Sequence, residues 1–136
     1  MDWVYLIGRA LFGLIFVGSG VGHFVQLPGM ARYADSKKVP AAKATVAVTG
    51  LMLLAGGLSV ILGVYMEIGL WLLVFFLLSA AFTMHDFWTV NDPMQKMVEQ
   101  AMFMKNLSMA GAALILYWVI RTYGYGPMSL GHPMGG

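Results

Sequence analysis

Apolar residues run along this chain in four long stretches, residues 4–25, 41–64, 67–85 and 101–121, separated by short segments that hold most of the charge. A helix needs about 20 apolar residues to cross a hydrocarbon core of about 30 Å, and each stretch is of that order. The pattern therefore predicts four membrane-spanning helices. Within the first, Arg9, Gly13, Phe16, Gly20 and His23 recur at intervals of four and three, which puts them on one face. Glycine on that face lets a neighbouring helix come close, as packing in lipid requires, so this is the bundle side. In the second stretch Thr45, Thr49, Met52, Gly56, Ser59 and Gly63 follow the same rhythm, a small and mildly polar seam expected to meet another helix. The third presents Trp71, Phe75, Leu78, Phe82 and His85 on one face and Phe76, Ser79, Thr83 and Asp86 on the next.

The connecting segments add their own signals. Leu27-Pro28-Gly29 is expected to break the first helix, and residues 30–38 then carry an apolar side (Met30, Tyr33, Ala34) and a basic side (Arg32, Lys37, Lys38), the pattern of a short helix lying in the membrane interface. Asp92 before Pro93 is a helix start: the carboxylate caps backbone N–H groups and proline fits the first position. The helix it opens should run to about residue 121, longer than a membrane is thick. Beyond it the chain is glycine-rich and aperiodic. The fold class expected is all-α, a transmembrane four-helix bundle with a short interfacial helix after the first span. Residues 1–122 make a single domain and 123–136 a flexible tail.

Composition sharpens this picture. With 60% hydrophobic and 10% charged residues among 136, the chain is too apolar for an ordinary soluble domain. It has no cysteine, which excludes disulfide exchange, thiolate ligation and cysteine-held iron–sulfur clusters, and with them the small four-helix membrane thiol oxidases. A net charge of +2 argues for no nucleic-acid partner, but its distribution is informative. Arg32, Lys37, Lys38, Lys43, Lys96 and Lys105 fall toward one side and only Arg9 and Arg121 toward the other. The positive-inside rule then puts loops one and three in the cytoplasm and both termini outside, in a bacterial-type plasma membrane. The first stretch has Asp2 where a signal peptide has basic residues, and Arg9 within it, so it is expected to stay as a span.

Because successive spans run in opposite directions, His23, His85, Asp86, Trp88, Lys105 and Asn106 all belong to one membrane face. Ionisable groups at membrane depth seek partners or a wet cavity, so the cluster is the candidate site. His85, Asp86 and Lys105 suit a proton relay, an imidazole beside a carboxylate exchanging protons near neutral pH. His23, Trp88, Lys105 and Asn106 suit a quinone headgroup, a bound and noncovalent cofactor whose carbonyl oxygens accept hydrogen bonds. A metal on His23 and His85, with Asp86 as ligand or acceptor, is the weaker reading, because two lone histidines on separate helices make an incomplete ligand set; no metal site is assigned. The bland reading is a structural network with Asp86 paired to Lys105. Either way Lys105 should turn into the bundle and bond a group between His85 and Trp88, with Asn106 on a neighbouring face. No nucleophile triad, phosphate-binding glycine loop or paired catalytic carboxylate is present, which leaves open whether the chain is an enzyme or an accessory subunit of one.

Gly8-Arg9-Ala10-Leu11-Phe12, Gly18-Ser19-Gly20 with His23-Phe24, Pro40, Gly56-Gly57, Gly63, His85-Asp86-Phe87-Trp88, Phe103-Met104-Lys105-Asn106-Leu107 and Gly111 together resemble the DoxX family of small four-span membrane proteins. Relatives often carry a glutamate in the first half of span two, where this chain has Thr49 and Met52. The resemblance implies a membrane subunit of a quinone-linked oxidoreductase, as in thiosulfate:quinone oxidoreductases, or of an assembly handling oxidative or sulfur stress. Its implied partners are the bilayer, other membrane or peripheral redox subunits, or a second copy of the chain. The alternative is a noncatalytic membrane anchor or assembly subunit that recruits a larger complex through its tail or basic first loop.

Overall fold

A computed structural model describes residues 1–131. Its helices are α1 (Asp2–Val25), α2 (Leu27–Ser36), α3 (Ala42–Leu62), α4 (Met66–Met84) and α5 (Pro93–Tyr123), with a single 3-10 turn, Phe87–Thr89, between the last two. Four of them, all but α2, are long and apolar enough to cross a membrane. Large apolar side chains such as Leu11, Leu51, Phe75 and Ile115 are exposed around the bundle, as a lipid solvent demands. The protein is thus an all-α bundle of four spans, with α2 as the short helix expected after the first.

Packing follows the small residues. α1 lies against α3, α3 against α4, and α4 against α5. The buried residues of α1 are Arg9, Gly13, Phe16, Gly20 and His23, the face its spacing predicts. Across from them, a Cβ on Gly13 would come within 2.8 Å of the Gly57 carbonyl, and one on Gly57 within 3.0 Å of the Gly13 carbonyl. The two backbones touch there, and only glycine on both helices allows it.

The seam predicted for α3 is displaced. Its buried residues are Val46, Gly50, Leu53, Gly56, Gly57, Ser59 and Val60. The helix sits between two neighbours: Gly50 and Gly57 face α1, whereas Gly56 approaches Leu73 and the Gly69 carbonyl of α4. One seam of small residues cannot serve both, so Gly56 and Ser59 keep their predicted role while Thr45, Thr49 and Met52 face a cleft instead. On α4 the core side is Leu70, Leu73, Val74, Leu77 and Ala81, and the Trp71, Phe75, Leu78, Phe82 face is left exposed to lipid.

The turns show where local rules were followed or broken. Asp92 caps α5 as expected, its Oδ2 accepting from the Gln95 N–H at 2.9 Å. Helix α2, by contrast, begins at Leu27 directly after Gln26, with Pro28 inside its first turn rather than in a break. Proline lacks an N–H that the first turn would leave unpaired anyway, so it opens a helix as readily as it ends one. Gly63 closes α3 at φ 69°, and a Cβ there would collide with Ser129 and the Arg9 guanidinium.

Those last contacts mark a further difference. Residues 124–131, expected to be a flexible tail, run back over the end of the bundle. Tyr125 is buried, the Leu130 and Gly131 N–H groups donate to the Leu62 and Gly63 carbonyls, and Arg9 Nη2 donates to the Met128 carbonyl. The glycines that suggested looseness supply the positive φ of 87° and 81° at Gly124 and Gly126 that turns the chain back. The rest of the tail, residues 132–136, lies outside the described residues.

Candidate functional site

At the end of the bundle that carries α2, the helices part to leave a cleft of about 520 Å³. Its walls come from all five helices: Phe16, Ser19 and His23 of α1, Tyr33 and Lys37 at α2, Thr45, Thr49 and Met52 of α3, Phe76, Ser79 and Thr83 of α4, and Lys105, Asn106 and Met109 of α5. A mostly apolar concavity with a few polar groups converging on it is the usual form of a small-molecule site.

His23 contributes the best-defined chemistry. Its ring is buried, and Nδ1 lies 2.8 Å from the Ser19 carbonyl one helical turn back. A carbonyl can only accept, so Nδ1 carries a proton, and in the neutral ring Nε2 is an open acceptor. Phe76 packs edge-on to the ring at 6.0 Å and holds its orientation. Asn106 is buried as well and donates to the Leu77 carbonyl at 3.3 Å, which pins the amide to α4. The cleft hydroxyls are tied to their own helices: Thr49 donates to the Thr45 carbonyl and Thr83 to the Ser79 carbonyl, both at 2.7 Å. Their oxygens still offer lone pairs. Thr49 and Met52 stand on the wall where the resemblance implies a glutamate in other family members, so here that wall is uncharged.

The charged groups pair differently from the expectation. Asp86 bonds Lys37 at 2.6 Å, not Lys105. His85 Nδ1 meets Glu99 Oε2 at 2.8 Å. Lys105 is exposed and donates along its own helix to Met102 Sδ at 3.3 Å, while still lining the cleft mouth. The reasons are geometric. Helix α4 stops at Met84, so His85 and Asp86 leave the helical spiral and Asp86 turns toward α2. On α5, Glu99 and Asn106 are seven residues apart and share the face toward α4, whereas Lys105 is turned about 100° away from Asn106. Trp88 also lies outside the cleft, half exposed in an aromatic group with Phe82, Phe87 and Phe103.

Lys37 and Glu99 are the residues that sequence reasoning passed over as partners. Each belongs to a surface helix segment rich in charge, and only the fold selects which charge turns inward. The carboxylate of Asp86, chiefly through its hydrogen bond, holds the Lys37 ammonium above its ordinary pKa against the opposing cost of partial burial. Lys37 therefore stays a cation across the physiological range and staples α2 to the end of α4.

A second polar group sits at the opposite end. Glu67 is buried; its Oε2 accepts from the Tyr125 hydroxyl at 2.5 Å, and Arg121 lies 3.8 Å from its other oxygen. The same Tyr125 oxygen accepts the Met66 N–H at 3.0 Å, capping the start of α4. Burial first, and then the bond to Glu67, pushes the Tyr125 phenol up to about 12. A signal for this group existed: Glu67 is the only acidic residue between positions 41 and 85, and a lone carboxylate in an apolar run needs a partner. Nearby Arg9 is buried with its guanidinium 5.0 Å from the Tyr5 ring centre, and its Nε and Nη1 have no acceptor among the described residues.

Four spans, an interfacial helix and a cleft at one end define a small polytopic membrane protein with a candidate ligand site between its helices. The chain belongs to the DoxX family, whose sequence model matches residues 4–86. The matched region holds α1 to α4 with His23, His85 and Asp86, while the Lys105-Asn106 wall on α5 lies beyond it. No curated protein and no solved structure matches the chain.

Proposed function

We propose that the cleft binds the headgroup of a quinone or quinol, and that the protein serves as a membrane subunit of a quinone-linked oxidoreductase. The observation that carries this reading is His23: a buried imidazole whose Nδ1 proton is committed to the Ser19 carbonyl, leaving Nε2 to accept from a ligand hydroxyl. A quinol hydroxyl is such a donor; as the quinol gives two electrons to a partner's redox centre, one of its two protons can pass to the imidazole and the other leaves through the open mouth to water. Lys105 at the mouth donates to the opposite oxygen. The chain's residues bind, orient and accept the proton; electrons go to a cofactor held by a partner. The His85–Glu99 pair beside the cleft is the next proton acceptor along the route to water.

The test is binding of a tail-less quinol analogue to the purified protein in nanodiscs, with His23→Phe as the comparison. Loss of a donated hydrogen bond at a buried acceptor costs about 1–3 kcal/mol, so His23→Phe should weaken quinol binding about fivefold to 150-fold. Equal binding by both proteins, or none by either, removes the proposal.

A second reading, a noncatalytic anchor for a larger complex, is favoured by the closed Lys37–Asp86 and His85–Glu99 pairs, which already commit His85 and both carboxylates to partners within the protein. Co-purification separates the two. Partners retained by the His23→Phe protein in a functional complex support the anchor; an intact complex that has lost quinol-dependent activity supports the quinone site.

A further inference from the structure

A shallower groove of about 540 Å³ lies on the lipid-facing surface toward the other end of the bundle, along α4. It shares two wall residues with the cleft, Met52 of α3 and Phe75 of α4. Both are near the midpoints of their helices, so the two spaces approach each other at that level and are separated by these two side chains. From Phe75 the groove continues past Trp71 and Ile68, and Tyr117 of α5 closes its side, packed edge-on to Trp71 at 5.2 Å. The level of Ile68 lies about 10 Å beyond that of Phe75, at 1.5 Å per helical residue.

Resting on the quinone reading above, we propose that the ligand is a long-tailed one: its headgroup occupies the cleft and its unbranched-path isoprenoid tail passes between Met52 and Phe75 into the groove. The walls fit a linear apolar chain and not a compact molecule. The cleft ends in apolar side chains at Met52 and Phe75, where a short ligand gains nothing more. The groove beyond is apolar and aromatic along its middle, and the charged pair Glu67 and Arg121 appears only at its far end. Met52 is the adaptable element, an unbranched thioether side chain that can change rotamer to let a tail through. In lipid the tail gains no hydrophobic energy on leaving the bilayer, so its contribution comes from packing contact alone and should be modest.

The experiment uses the full chain in nanodiscs and one quinone headgroup carrying no tail, a two-unit or a four-unit isoprenoid tail, the longest in a second form with a terminal diazirine. The expected result is binding about threefold to tenfold tighter, per mole of quinone in the bilayer, for the four-unit form than for the tail-less one. Photolabelling from the tail end should fall on peptides holding Ile68, Trp71 and Tyr117. In Met52→Trp and Phe75→Trp the advantage of the long tail should vanish and the labelling should leave those peptides. Phe75 is exposed, so its replacement tests the path without threatening the fold. Binding of the tail-less quinone with no effect of tail length, or tail label elsewhere on the protein, overturns the tail path and leaves the headgroup site standing. Failure of every quinone to bind overturns the headgroup site and the tail path together.

Discussion

Removing one oxygen atom from Tyr125 should loosen the whole end of the bundle opposite the cleft. In Tyr125→Phe the ring still fills its buried place, but two hydrogen bonds go: the 2.5 Å bond given to Glu67 and the 3.0 Å bond taken from the Met66 N–H. A hydrogen bond to a charged group is worth about 1.5–3 kcal/mol, and leaving a buried N–H unpaired costs about 1–3 kcal/mol. Since Arg121 still faces Glu67 at 3.8 Å and the α4 terminus can relax, a net loss of about 2–4 kcal/mol is expected. Denaturant titration in mixed micelles measures it, and Glu67→Gln with the double variant completes a cycle whose coupling should be about 1–2 kcal/mol. The tail should come free in the same variant, shown by faster proteolysis within residues 124–131. Alkali offers an independent check on the wild type. The phenol's folded pKa of about 12 is above its ordinary value of 10.0, so the stabilisation is complete below pH 10 and is lost as pH rises from 10 toward 12. That alkaline loss should be absent from Tyr125→Phe. A Tyr125→Phe protein within about 0.5 kcal/mol of wild type, with an equally protected tail, would refute the reasoning.

Other expectations follow from the same contacts. Gly57→Ala puts a Cβ 2.9 Å from Val17 Cγ2 and 3.0 Å from the Gly13 carbonyl, so α1 and α3 must separate; a loss of about 1–3 kcal/mol in the same titration is expected, and an unchanged midpoint would contradict the backbone contact. Asp86→Asn weakens the staple on α2 by about 0.5–1 kcal/mol, because the pair is partly exposed, and should raise the spectral mobility of a spin label at Ser36. Since Lys37 titrates above its ordinary 10.5 and Asp86 below its ordinary 3.8, the staple is fully formed between those two pH values and releases only as pH climbs past the raised value or falls past the lowered one, so the label should stay immobile through neutral pH. Lys105→Met should leave stability within about 0.5 kcal/mol of wild type, since the amine meets only Met102 and solvent; a larger loss would restore the pairing with the His85 to Trp88 stretch.

What the sequence determined by itself was whatever repeats along one helix. The four spans, the buried face of α1 from Arg9 to His23, and the Asp92 cap on α5 are each decided by neighbours within a few turns, and all three appear in the fold. The same logic put His23, His85, Asp86, Trp88, Lys105 and Asn106 at one membrane face; one cleft is lined by His23, His85, Lys105 and Asn106, while Asp86 and Trp88 lie outside it. What failed were the charge pairings, which needed a rotation between helices and the residue where α4 stops. Asp86 finds Lys37 because α4 ends at Met84, and Lys105 faces outward because Glu99 and Asn106 hold the face toward α4. The α3 seam split because a central helix must satisfy two neighbours, which no single periodicity encodes. Tyr125 met Glu67 across 58 positions, and only the tertiary structure could bring a glycine-rich tail back to the one carboxylate that needed it. Periodicity reports which side of a helix is apolar; which polar group meets which is settled by how rigid helices pack, and that information is spread over the whole chain.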